Sequence, residues 1–515
     1  MVVPVQSDCV ALMNDASSYP DFPVSVRVIE THISFVFLTD KYAYKLKKPV
    51  RFEFLDFSTA ELRHRACLDE VRLNRRLAPD IYLDVLPITR NASGQLALNG
   101  DGEPVDWVVQ MQRLPANNAL DVILRERRLT ARHTRTIAQH LTSFYIQLLP
   151  KPLSSAAYRE ALERHIRANT SALLDTLNEE RTRIRRIQSA QLRFLHVERD
   201  LVGSRATAGH VVDGHGDLRP EHIYLNGRLT VIDCVEFSDE LRTVDIADEL
   251  SFLGMECQRL GDGGLGEQIL EDYERASSDH IPVSLLSFYR CYRAAVRAKV
   301  ALIREQQQAV STESKFKDLA REYIALADEH AKQLGPPVLL IFGGLMGCGK
   351  STLAANFADA FGIELVSTDH IRRSLIGSSD APAKYGDGNY QPDMRTRIYD
   401  NVFCRADERL RDGESAILDG TFLTCCLRDR AYELASRHGA VALYVQCTCP
   451  RVVAYARIQK RSDSGQSESE ARTELYDLQA RDVELPWADE PAISVDTTAT
   501  LEKQFRHVCD KLKEL

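Results

Sequence analysis

The eight residues Gly344-Leu345-Met346-Gly347-Cys348-Gly349-Lys350-Ser351 constrain this 515-residue chain more than any other stretch. They follow the apolar run Val338-Leu339-Leu340-Ile341-Phe342, the pattern of a parallel strand buried on both faces. They precede a helix expected over Thr352–Ala360. Glycines at this spacing let backbone N–H groups turn inward on phosphate oxygens, and the helix N-terminus adds positive potential. Gly344, Gly347, Cys348, Gly349 and Thr352 form that cradle, Lys350 can reach β- and γ-phosphates, and Ser351 can ligate Mg²⁺.

The rest of the chain is divided by composition and pattern. Its length exceeds one ordinary hydrophobic core, so several domains are expected. With 44% hydrophobic and 27% charged residues it reads as a globular enzyme. From Ile341 onward there are 22 Lys and Arg against 27 Asp and Glu, and the preceding part has 43 against 47. Neither half is basic, which argues against a dedicated nucleic-acid binder. Twelve scattered cysteines without C-x-x-C spacing read as reduced, mostly buried thiols. Met1 to Asp15 lacks the pattern of a signal peptide and no apolar stretch is long enough to span a bilayer, so a cytoplasmic location is expected.

Strands are predicted at Val24–Val28, Phe35–Leu38 and Tyr42–Leu46, followed by a charged helix from about Thr59 to Arg76. Further strands are expected at Tyr82–Leu86 and Trp107–Gln112. Residues 130–205 read as nearly all helical, Val211–Phe237 as strand, loop and strand, and Asp245 to about Gln333 as helices. Gly335-Pro336-Pro337 is the clearest linker. Beyond it strand, glycine loop and helix alternate as in a doubly wound α/β domain.

Two aspartates sharpen the C-terminal reading. Leu365–Arg372 places Asp-x-x-Arg, Asp369 and Arg372, at the end of a strand, and Ala416-Ile417-Leu418-Asp419 is an apolar strand ending in a carboxylate. Ligands gather at the carboxyl ends of such strands, although either aspartate alone could simply cap a helix. The stretch from about Pro337 to Glu514 resembles small P-loop kinases of the polynucleotide-kinase, zeta-toxin and gluconate-kinase type. The resemblance implies that Asp369 orients the acceptor hydroxyl, Arg372 holds the acceptor and Asp419 organises Mg²⁺. It also implies that Arg457 and Arg461 neutralise charge on the transferred phosphoryl group, although a solvated basic helix face would look the same. Arg428 and Tyr390–Tyr399 are further candidates for acceptor contact.

In the N-terminal half, Lys45 lies in the strand Tyr44-Lys45-Leu46-Lys47 and Glu70 follows 25 residues later on the charged helix. His215-Gly216-Asp217-Leu218-Arg219-Pro220-Glu221-His222 comes much further on, with Ile232-Asp233 after it. This order resembles the aminoglycoside-phosphotransferase branch of the kinase-like fold. More narrowly, the whole chain resembles bacterial fusions of such a domain with a P-loop kinase. The resemblance implies that Lys45 holds the α- and β-phosphates, Glu70 fixes Lys45, Asp217 is the catalytic carboxylate and Asp233 a metal ligand. Gln110-Met111-Gln112 would face adenine. His222 stands where the family has Asn, and imidazole suits Mg²⁺ less well than a carbonyl oxygen. Glu236 is therefore expected to supply a compensating oxygen beside His222. The dense arginines Arg181, Arg183, Arg185 and Arg186 would favour an anionic acceptor or simply be solvated.

The expected architecture is α/β and multidomain: a bilobal kinase-like α+β domain, then a doubly wound parallel-sheet P-loop domain. The boundaries are residues 1–112 (N-lobe), 113–333 (helical C-lobe), 334–337 (linker) and 338–515. The expected function is an ATP- and Mg²⁺-dependent phosphotransferase with two nucleotide-binding heads, acting on a hydroxyl of a small-molecule or nucleotide-like acceptor. The alternatives are one active kinase governed by a nucleotide-sensing pseudokinase half, or a P-loop ATPase switch acting on a protein partner.

Overall fold

A computed structural model describes residues 5–31, 33–52, 55–307, 315–376, 392–464 and 473–515. The chain divides into two compact units. The first comprises Met1–Ser155, Ser204–Arg290 and Gln306–Val310, and the second Ala156–Gly203, Cys291–Glu305 and Ser311–Leu515. The second unit thus takes helices from before Gly335-Pro336-Pro337 as well as everything after it. Among the described residues no helix is long and apolar enough to cross a membrane.

The first unit opens with β1 (Arg27–Glu30), β2 (Ser34–Leu38), β3 (Tyr42–Lys47), the short hairpin β4 (Arg51–Phe52) and β5 (Leu55–Asp56), β6 (Tyr82–Arg90), β7 (Leu96–Leu98) and β8 (Glu103–Gln112). Six of these form a sheet in the order β1-β2-β3-β8-β6-β7, with every pairing antiparallel. Because strand side chains alternate between faces, Tyr44 and Leu46 join Phe37, Ile88 and Val108 on one face, against Cys9 and Met13 of the helix Val5–Asn14. Ala43 packs on the other face against Cys67 and Val71 of the helix Ala60–Asn74. Lys45 and Lys47 share the parity of Ala43 and so meet that second helix. Thr59 starts the helix by accepting the Leu62 N–H at 3.3 Å, as its position predicts.

Further along the first unit, β9 (Val211–Asp213), the hairpin β10 (Ile223–Asn226) and β11 (Arg228–Val231), and β12 (Thr243–Asp245) form two small antiparallel ladders, β12 pairing with β9. The helices Ala131–Ile146, Ile246–Arg259 and Gly263–Ser277 complete this part.

The second unit is built on β13 (Val338–Gly343), β14 (Leu365–Ser367), β15 (Ala416–Asp419), β16 (Val441–Thr448) and β17 (Ala492–Asp496), all parallel, in the order β14-β15-β13-β16-β17. The central β13 is buried along its whole length, as its apolar run requires. Val338, Leu340 and Phe342 pack against Leu353, Phe357, Phe361, Val508 and Cys509, whereas Leu339 and Ile341 face Val402, Ala406 and Leu434 on the opposite side.

Helices from earlier in the chain seal this unit. On Arg181–Val197, His196 stacks on Phe361 at 6.0 Å and meets Phe505 edge-on, and Arg186 pairs with Asp328 at 2.6 Å. The buried Arg193 donates to the carbonyls of Leu334, Gly335 and Pro336, so the linker is pinned from its own unit. Arg181 and Arg183 are likewise engaged, by Asn178 and Glu180 at 2.8 Å each.

Candidate functional site

The chain leaves β13 into the glycine loop. Gly344 sits at φ +133°, and a Cβ there would run into the Cys447 carbonyl, so both the backbone angle and the close approach of β16 demand glycine. Gly349, at φ +95°, turns the loop into the helix Lys350–Phe361. The Gly344 N–H donates to the Thr421 carbonyl at 2.9 Å, and this ties the loop entry to the turn after β15.

Parallel register sets Asp419 beside Phe342, and Ser367 beside Asp419. The functional side chains of three strand ends therefore converge. Ser367 Oγ donates to Asp419 Oδ2 at 3.4 Å and accepts the Asp369 N–H at 3.3 Å. Asp369 pairs with Arg372 at 2.9 Å, and the Ser351 hydroxyl is near enough to Asp419 to favour its ionised form. Burial opposes the Lys350 ammonium, but the acidic groups around it, Cys348, Asp419 and Asp369, outweigh burial and hold its pKa above the usual lysine range. Burial pushes the Asp419 carboxyl up despite Lys350 and Ser351. Asp419 Oδ1 is buried with no hydrogen-bond partner, and an orphaned carboxylate oxygen beside a serine hydroxyl fits a hard cation such as Mg²⁺. Among the described residues no group of three or more His, Cys, Asp or Glu could hold a metal. A Mg²⁺ held by one carboxylate, one hydroxyl and substrate phosphates does not need such a group.

Arg457 and Arg461 divide. Arg457 reaches the loop from behind, donating to the Cys348 carbonyl at 3.3 Å, Thr497 Oγ1 at 2.9 Å and the Thr497 carbonyl at 2.8 Å. The side chain of Arg461 and the acceptor candidate Tyr390 lie outside the described residues. Arg428 is not the acceptor contact its position suggested. It is fully buried, bonded to Glu490 at 2.6 Å and to the carbonyls of Phe422 and Leu423, with its guanidinium 5.0 Å from the Tyr444 ring centroid. A buried guanidinium satisfied on all sides is structural. Thr352 is exposed on the first turn of the P-loop helix.

In the first unit the spacing-based pairs do meet. Lys45 Nζ lies 2.8 Å from Glu70 Oε1 and 2.6 Å from Asp233 Oδ1. Burial disfavours the Asp233 charge, but Lys45 beside it holds its carboxyl far below the ordinary range. Asp233 adopts φ +65°, a left-handed backbone conformation stabilised where its N–H donates to Tyr82 at 3.1 Å. Asp217 is paired with Arg219 at 2.9 Å.

His222 and Glu236 depart from their expected metal roles. The Asp217 carbonyl, 2.9 Å from His222 Nδ1, can only accept, so Nδ1 carries the proton. Arg219 Nη2, 3.2 Å from Nε2, can only donate, so Nε2 spends its lone pair there. Both ring nitrogens are therefore engaged within the segment from Asp217 to His222. Glu236 is buried and paired with Lys47, which also bonds Glu70 at 2.6 Å. The oxygen assigned to a metal is a counter-ion for a second buried lysine.

One group escaped sequence reasoning, and another, Tyr399, was expected only as a candidate acceptor contact. Glu249, fully buried, accepts the N–H groups of His215 and Gly216 and the Tyr145 hydroxyl. It clamps the loop two residues ahead of Asp217 from a helix more than thirty residues downstream. Tyr399 bonds Thr421 Oγ1 at 3.0 Å and accepts the Phe422 N–H at 3.3 Å. Neither carries a local spacing signal, because its partner is brought to it by tertiary folding.

Residues 339–486 match the family described as AAA domain. The sugar kinase from Janibacter sp. HTCC2649 is similar in structure (19% identical, covering 35% of this chain and 95% of that chain, TM-score 0.28). So is the Mycobacterium tuberculosis APS kinase in complex with AMPPNP and APS (16% identical, 35% and 98% covered, TM-score 0.25). Over 475 residues the chain is 34% identical to an uncharacterized protein of Mycobacterium tuberculosis, covering 89% of this chain and 90% of that protein. A protein of Mycobacterium bovis matches with the same figures. By that near full-length identity the chain belongs to one family with these mycobacterial proteins, and an AAA-domain P-loop region forms its C-terminal third.

Proposed function

We propose that the second unit is an ATP-dependent phosphotransferase that moves the γ-phosphoryl group to a hydroxyl of a small-molecule or nucleotide-like acceptor. One observation carries this: Ser367 donates to the Asp419 carboxylate and accepts the backbone N–H of Asp369, so the two aspartates stand just past adjacent strand ends beside Lys350. An ATP-driven switch needs one carboxylate near the loop. A second, with an arginine three residues on, supplies a group to orient an acceptor hydroxyl. In this reading the loop amides and Lys350 hold the triphosphate, Asp369 orients the acceptor oxygen, and Arg372 binds the acceptor. Arg457 braces the loop. Bound Mg²⁺, held by Ser351 and Asp419, would neutralise phosphate charge.

For the first unit, the Lys45–Glu70 and Lys45–Asp233 pairs support a kinase-like, aminoglycoside-phosphotransferase-like nucleotide head, with Asp217 as its catalytic carboxylate. The engagement of both His222 nitrogens and of Glu236 favours the second reading for this head, that it senses nucleotide and governs the P-loop unit.

Labelled ATP incubated with fractionated metabolite pools tests both. Transfer is expected to disappear in Lys350→Ala and to fall about 100-fold or more in Asp369→Asn, while Asp217→Ala retains it. Hydrolysis without any acceptor, stimulated only by a protein partner, would contradict the transferase reading. Loss of transfer in Asp217→Ala with Lys350→Ala unimpaired would move the activity to the first unit.

A further inference from the structure

We infer that Tyr399 is a positioning residue for the P-loop site, acting through the turn Gly420–Leu423. The inference rests on the second unit being a nucleotide site, and it goes beyond that reading by naming what sets the site's shape.

The turn follows directly on Asp419 and is hydrogen-bonded to the strand that feeds the loop. Gly420 N–H donates to the Phe342 carbonyl at 3.2 Å, and the Thr421 carbonyl accepts the Gly344 N–H at 2.9 Å. One turn therefore positions both the cation-binding carboxylate and the first amide of the glycine loop. It is also strained. Phe422 is a fully buried non-glycine residue at φ +42°, and bulky residues hold that conformation only where surroundings over-determine it.

Two side chains supply the constraint. From the helix Pro392–Arg411, the buried Tyr399 hydroxyl bonds Thr421 Oγ1 and receives the Phe422 N–H. From the helix Cys425–Arg437, Arg428 holds the carbonyls of Phe422 and Leu423. Phe422 itself is wedged edge-on against Tyr399, with ring centroids 5.2 Å apart. Removing the Tyr399 hydroxyl leaves the aromatic packing but frees the Phe422 amide to relax toward an ordinary backbone angle. That relaxation carries Thr421 and Asp419 with it.

The test uses the full chain and ATP itself as probe, titrated calorimetrically with Mg²⁺ present and with the metal chelated. Tyr399→Phe is expected to weaken MgATP about tenfold and to shrink the gain in affinity that Mg²⁺ provides. The control is Tyr292→Phe, which removes another buried hydroxyl of the same unit, bonded to His165 at 3.2 Å, and leaves both affinities within about twofold. Equal effects of the two variants, or a Tyr399→Phe protein with wild-type magnesium dependence, would overturn the inference. Hydrogen exchange in nucleotide-free protein gives an independent readout. Peptides covering residues 338–350 and 416–423 should lose protection in Tyr399→Phe and keep it in Tyr292→Phe. Unchanged protection would overturn the positioning role, whereas a wild-type protein that binds no ATP would defeat the nucleotide-site reading instead.

Discussion

At Asp419, burial and function pull in opposite directions. Its carboxyl is raised by burial, so the folded state binds the proton more tightly than the unfolded state does. Stability linked to this group is present at low pH and lost as pH rises through the elevated pKa. Asp419→Asn should therefore raise the melting temperature of nucleotide-free protein at pH 7, with the gain fading toward the ordinary carboxylate range. It should also remove the magnesium-dependent part of ATP affinity. A lowered melting temperature at pH 7 would contradict this. His215 shows the converse. Burial pushes its imidazole down to about 3, and its neutral ring donates from Nε2 to the Ile232 carbonyl while Nδ1 accepts the Asp217 N–H. Stability from this group is present above the ordinary imidazole range and lost as pH falls toward 3. Acid unfolding between pH 6.5 and 3 should take up about one proton fewer in His215→Gln. The meeting of Lys45 with Glu70 and Asp233 was legible in the sequence because order and spacing encode which side chains can meet. The roles of His222, Glu236 and Arg428 were not, because a sequence shows a charge but not the buried partner that consumes it.

Among the elements, β3 explains why the first unit holds so much buried charge. Its alternation sends Lys45 and Lys47 to the same face, and the single carboxylate Glu70 serves both. Glu70→Ala should cost about 3–5 kcal/mol in chemical denaturation of this unit, because two buried ammonium groups lose their shared partner. Replacing Lys47 and Glu236 together by Met and Leu should cost far less than either single change, since no unpaired charge remains. Equal costs for the double and single changes would contradict the ion-pair account. The elements were legible where one face is buried. Helix Ala60–Asn74 and strand β13 fall where apolar periodicity and run length place them. The expected strand at Val24–Val28 instead runs over Arg27–Glu30, and every residue of this edge strand is exposed. Without a buried face, alternation carries no register.

On the scale of the whole molecule, the P-loop sheet is completed by helices from far earlier in the chain. Phe361 and Phe505 meet His196, Arg199 pairs with Asp510 at 2.7 Å, and Lys513 with Glu198 at 2.6 Å. A fragment of residues 338–515 should expose that aromatic face, bind a hydrophobic dye and melt below the second unit of the full chain. Equal melting temperatures would show the helices to be dispensable. Local motifs made the P-loop legible, but no local signal marks which distant helices will cover it, because that choice depends on shape. The most direct test of the central claim is calorimetric titration of the full chain with MgATP, wild type beside Lys350→Ala. Saturable binding that loses one site in Lys350→Ala is the predicted result. Identical isotherms for the two proteins would contradict a nucleotide held by the glycine loop.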